Sequence, residues 1–162
     1  MNRLPGFTLT PDIAAAAVTG ADWPGRLQRL TRGPFAEALG PRALWLDGGH
    51  NPAAGSALAE TLKDWPARPH VIVGMLGTKD AAGYLTALGA AAASLHTIAV
   101  PGAPSTLEAE ALAATARSCG LDATAHASLD AAVAAVGAHA DAAPILIAGS
   151  LYLAGAVLAD HG

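Results

Sequence analysis

The chain has 162 residues, room for one domain with a sizeable core, and 52% hydrophobic against 4% aromatic residues makes that core one of Ala, Leu and Val. A formal net charge of −4 without any basic cluster argues against a binder driven by nucleic-acid phosphates. Cys119 stands alone, so no intrachain disulfide is expected and a reducing cytoplasm is the simpler setting. Nothing at the amino terminus reads as a signal peptide.

Thr10-Pro11 opens an Ala-rich helical segment that ends near Gly20, and Trp23-Pro24-Gly25 makes a turn. Arg26 to Arg32 reads as a strand entering the sheet, and Gly33 to Arg42 as a loop or short turn of helix. From there short apolar runs alternate with helical stretches. The run at 43–46 precedes a helix from Pro52 to about Asp64, and the run at 70–75 precedes one from Lys79 to Ala92. A third run at 95–100 leads to a helix from Thr106 to Cys119. A weaker run at 123–126 leads to a helix from Leu129 to His139. Ile145-Leu146-Ile147-Ala148 and a last helix follow. Such alternation predicts an α/β fold, a Rossmann-like, mostly parallel sheet with helices on both faces in three α/β/α layers. Asn51-Pro52 supplies an N-cap and a first-turn proline, and Ser105-Thr106-Leu107-Glu108 has capping-box spacing.

Ala142 to Ala159 carries no charge and is nearly long enough to span a bilayer. Pro144 opens it and Gly149-Ser150 divides it, so a buried strand, a tight turn and a core-facing helix are expected instead of a membrane span.

The segment Leu46-Asp47-Gly48-Gly49-His50-Asn51-Pro52 runs from the carboxyl end of a strand into a helix start, where open α/β sheets bind ligands. Its glycines permit a sharp turn, and the helix amino terminus offers N–H groups to a phosphate. Asp47 can accept from ribose hydroxyls or orient a neighbour, and His50 can donate to a phosphate oxygen. The alternative is a plain strand-to-helix turn in which Asp47 and Asn51 only cap the helix. Neither a dinucleotide fingerprint nor a P-loop is present. Arg26, after the rigid turn, can reach a phosphate with its planar fork or sit in solvent as an ordinary surface arginine. Lys79 and Asp80 have the same two readings at another strand end. Ser150 reads as the cap of the last helix. His70, His96, His126, His139 and His161 lack metal-binding spacing, so structural or surface roles are expected and no metal site in this domain.

Three segments together, Trp-Pro-Gly-Arg-Leu-Gln at 23–28, Leu-Asp-Gly-Gly-His-Asn-Pro at 46–52 and Ala-Gly-Ser-Leu-Tyr-Leu-Ala-Gly at 148–155, resemble the folylpolyglutamate and dihydrofolate synthases of the Mur ligase superfamily, specifically their carboxy-terminal domain. That family commonly has alanine where Gly49 stands, an exchange expected to be harmless. It often has Asp-Lys-Asp where this chain has Thr78-Lys79-Asp80.

The resemblance implies an ATP-dependent amide ligase that adds L-glutamate to dihydropteroate or folate through an acyl phosphate. Arg26, Asp47 and His50 would then hold ATP, with Gly48, Gly49, Asn51, Lys79 and Ser150 as further phosphate or glutamate contacts. It also implies an amino-terminal P-loop ATPase domain as partner, holding most of the Mg2+ ligands, without which this piece is inactive. Residues 1–22 would be the remnant of that domain and its hinge, and 23–162 the ligase-type domain. Neither nucleic acid nor membrane is expected as a partner. A free-standing Rossmann-like nucleotide or anion module, or the same domain of another Mur-type ligase, are the competing readings.

Overall fold

A computed structural model describes residues 24–161. The segment expected to be a domain remnant and hinge, residues 1–22, lies outside the described residues.

Six strands form one sheet: β1 Gln28–Leu30, β2 Leu44–Leu46, β3 His70–Val73, β4 Ser94–Thr97, β5 Ala123–Ala125 and β6 Ile145–Ala148. Their order is β1-β2-β6-β3-β4-β5. Only β1 runs antiparallel, with Gln28 opposite Leu46. The last strand lies at the centre, Ile145 pairing with both Leu44 and His70. Among the described residues, the helices are α1 Pro34–Leu39, α2 Pro52–Leu62, α3 Ala81–Gly89, α4 Ala109–Ser118, α5 Leu129–Gly137 and α6 Leu151–His161.

Every residue of β3 and β6 is buried, which is why these strands read as unbroken apolar runs and do not alternate. The period of two survives in which face each side chain joins. Leu44, Leu46, Ile72, Ile145 and Ile147 pack with α1, α5 and α6. Val71, Val73, Leu146 and Ala148 pack with α2, α3 and α4 on the other face. The three-layer α/β/α expectation is met.

Asn51 caps α2 as expected, its side chain accepting the Ala54 N–H at 2.9 Å, with Pro52 in the first turn. The capping box at 105–108 does not form. Helix α4 starts at Ala109 after Glu108, which makes no side-chain cap. Thr106 is taken by the preceding loop, where its hydroxyl accepts the Val100 N–H at 2.6 Å and its backbone bridges to Leu76. The stretch from 142 to 159 is a buried strand, a turn and a helix, and no helix among the described residues is long and apolar enough to cross a membrane.

Candidate functional site

The loop after β2 is built around one carboxylate. Asp47 continues the ladder through its N–H to Ile147 O at 2.9 Å. Its Oδ2 accepts the Leu27 N–H at 2.9 Å and its Oδ1 accepts the Gly49 N–H at 2.7 Å. Gly48 donates to Gly25 O at 2.6 Å, and Gly25 donates to Gln28 Oε1 at 2.9 Å. The turn at 24–27 and the loop at 47–50 are therefore one hydrogen-bonded unit at the carboxyl edge of the sheet. Leu27 is held in the left-handed region at φ 41°, the one described non-glycine residue with positive φ, a strained conformation that needs such external fixing.

Of the two parts expected of Asp47, this geometry shows the one of orienting its neighbours. Both carboxylate oxygens already serve backbone N–H groups, so it positions the turn that carries Arg26 and the loop that carries His50. At Gly49, where the family commonly has alanine, this loop is packed closely around the glycine. A Cβ there would come within 2.7 Å of Asp47 Oδ1 and 2.9 Å of Ala54 Cβ, so the loop must shift to admit it.

Arg26 is exposed and makes no ion pair or hydrogen bond among the described residues. His50 sits with Nδ1 2.9 Å from Gly48 O. A carbonyl only accepts, so Nδ1 carries the proton, and Nε2 donates to an anion only when the ring is protonated. A cavity of about 280 Å³ is lined by His50, Lys79, Ser150, Leu151 and Tyr152, among others. It brings together His50, Lys79 and Ser150 from three separate strand ends; Arg26 is not among its walls.

Ser150 is buried and its Oγ accepts the Tyr152 N–H at 3.1 Å, so its hydroxyl caps α6. Asp80 caps α3 by accepting the Gly83 N–H at 2.9 Å, which leaves Lys79, exposed, as the charged group of its loop that faces the cavity. Gly149, at φ 106°, turns the chain out of β6 against Gly74 O, where no side chain fits. Two residues of the motif at 148–155 were given no place in the site. Leu151 and Tyr152 are 50% and 62% exposed at the cavity rim, the exposed large apolar side chains among the described residues. Their signal was available: two large apolar residues directly after a helix cap.

Comparison with known proteins decides the family. The family model for the Mur ligase glutamate ligase domain matches residues 25–151. The chain belongs to this family. As a Mur ligase domain it is 33% identical over 152 residues to the folylpolyglutamate synthase of Lacticaseibacillus casei, covering 93% of this chain and 32% of that protein. Mycobacterium tuberculosis folylpolyglutamate synthase complexed with ADP superposes with a TM-score of 0.78 at 32% identity, over 95% of this chain and 36% of that one. A bifunctional folylpolyglutamate synthase/dihydrofolate synthase with Mn, AMPPNP and L-glutamate bound matches with a TM-score of 0.74 at 25% identity, over 95% and 35%. The Mur ligase domain described here thus spans about a third of the length of the relatives it matches.

Proposed function

We propose that this Mur ligase domain is the carboxy-terminal part of an ATP-dependent ligase that joins L-glutamate to dihydropteroate or folate through an acyl phosphate, in the cytoplasm. The observation that carries this reading is the unit made by Asp47. It presents Arg26 and His50 from two segments that one carboxylate holds together. Lys79 adds a cationic group at the cavity His50 lines.

An acyl phosphate forms when a carboxylate attacks the terminal phosphoryl group of ATP, and the glutamate amine then displaces phosphate. The transferring group carries its charge on its equatorial oxygens, so catalysis consists mostly of positioning and of donors aimed at those oxygens. The Arg26 guanidinium supplies such donors, as does the His50 ring whenever Nε2 carries a proton, and the first turn of α2 adds N–H groups and positive dipole. The exposed Leu151 and Tyr152 form the apolar rim against which a preceding ATPase domain would close. That domain would supply the P-loop, the Mg2+ ligands and the pterin pocket. The ADP, AMPPNP, Mn and L-glutamate bound by the relatives support the substrate class.

The test is phosphate release by this domain joined to its P-loop domain, with ATP, glutamate and dihydropteroate each omitted in turn. Release that needs all three, and falls roughly a hundredfold or more in Arg26→Ala and His50→Ala, supports the reading. Release indifferent to the pterin acid sinks the folate assignment.

A further inference from the structure

A second constellation lies on the face covered by α1, α5 and α6, away from the phosphate-facing loop. His70 opens β3, His96 shares its face on β4, and His126 follows β5. His139 and Asp141 lie just beyond the end of α5. One ring nitrogen from each of His70, His96 and His139 falls within 4.8 Å of the others. His70 and His96 are buried, while His139 is exposed.

The hydrogen bonds set the direction of the lone pairs. His70 Nε2 lies 3.0 and 3.2 Å from the two Asp141 carboxylate oxygens. A carboxylate only accepts, so Nε2 carries the proton and Nδ1 presents a lone pair. That Nδ1 points at Ser94 Oγ at 2.7 Å, and His96 Nε2 points at the same oxygen at 2.9 Å. His96 Nδ1 meets His126 Nε2 at 2.8 Å. When His96 donates across that contact, its Nε2 becomes a second lone pair aimed at a hydroxyl with a single hydrogen. The His139 ring packs against His70 with centroids 4.2 Å apart. Arg42 fixes the segment that carries it, donating to Val136 O at 2.7 Å, to Asp141 O at 2.5 Å and to His139 O.

We propose that His70, His96 and His139 form a binding site for one borderline divalent transition-metal ion of the zinc type, with Asp141 orienting His70 from behind. Three imidazoles select zinc, cobalt, nickel or copper over magnesium and calcium, which want oxygen. The carboxylate on the far nitrogen of His70 is the arrangement that holds and sharpens a metal-binding imidazole. Arg42 brings a positive charge near the cluster, but it faces Asp141 and three carbonyls. Zinc–nitrogen bonds of about 2.0–2.1 Å put tetrahedral ligands roughly 3.3 Å apart, so the triad must contract. His139 can supply that movement, because its ring is exposed. The ion would tie β3, β4 and the α5–β6 connection together.

The experiment is titration of the untagged, chelator-treated chain with cobalt(II), followed by visible absorption and then displacement by zinc. One equivalent should bind with the intense bands of a low-coordinate cobalt site. His139→Ala should weaken binding more than about tenfold, as should His139→Gln, which keeps a polar group in place. His50→Ala, on the other site, should bind as the parent does. Absence of saturable one-to-one binding in the parent, or binding that survives both changes at His139, would overturn the proposal and leave the cluster a purely hydrogen-bonded chain.

Discussion

Asp47 Oδ2 accepts the backbone N–H of Leu27, twenty residues away, at 2.9 Å while its Oδ1 accepts Gly49 N–H at 2.7 Å. Asn in its place has one acceptor oxygen, so one N–H must face an amide that donates. Asp47→Asn should cost about 2 kcal/mol, the scale of a lost hydrogen bond to a charged group, read as a lower urea midpoint. In the joined ligase it should also weaken ATP binding, because the segments carrying Arg26 and His50 lose their shared anchor.

Gly149 and Gly155 make a matched pair. A methyl at Gly149 would lie 2.8 Å from Gly74 O and from Val73 Cγ2 at a φ of 106°, whereas at Gly155, within α6, nothing lies within 4 Å. Gly149→Ala should lower stability by roughly 3 kcal/mol or more. Gly155→Ala should raise it by about 0.5–1 kcal/mol through helix propensity and a less flexible unfolded chain. Thermal melts of the two variants should move in opposite directions.

Tyr84 is fully buried, and its hydroxyl is the one buried side-chain polar atom without a hydrogen-bond partner among the described residues. Burial, helped by the charge of Asp47, pushes the phenol well above its ordinary value, so it stays neutral. Tyr84→Phe removes an unpaired hydroxyl and keeps the ring. It should raise stability by about 1 kcal/mol, and a lower melting temperature would show that the hydroxyl has a partner after all.

The metal-free protein should also lose stability as pH is lowered from about 6.5 to about 4. His96 is held down to about 4 in the fold, chiefly by burial, so across that window the unfolded chain binds the extra proton. His126 is shifted the same way by burial. Asp141, held below the ordinary carboxylate range mainly by its hydrogen bond to His70, acts further down. Its contribution is present above the ordinary carboxylate range and disappears as pH falls through its lowered value. Urea midpoints measured with chelator at intervals from pH 7.5 to 4.5 should fall steadily, and the slope should flatten in His96→Gln.

The sheet was readable because its strands are short apolar runs separated by helical periods, and Asn51-Pro52 marked the start of α2. The segment at 105–108 misled because a serine three residues before a glutamate has capping-box spacing, while the helix starts only at Ala109 and Thr106 is held by the loop at Val100. The grouping of Arg26 with the loop at 47–50 followed from motif resemblance. The way Asp47 brings it about did not, since it depends on a contact across twenty residues. The histidine cluster was invisible for the same reason. His70, His96 and His139 belong to no local spacing, and only the register of β3 with β4 and the return of the chain after α5 bring them together.

The strand at the middle of the sheet follows the other five in the sequence, so it is synthesised after all of its neighbours. Until Ile145–Ala148 emerges, β2 and β3 have no common neighbour, and each shows a buried edge to water. Vectorial synthesis therefore cannot complete this sheet strand by strand. A nascent chain arrested before residue 145 holds two unjoined halves with open edges, the form most exposed to misassociation.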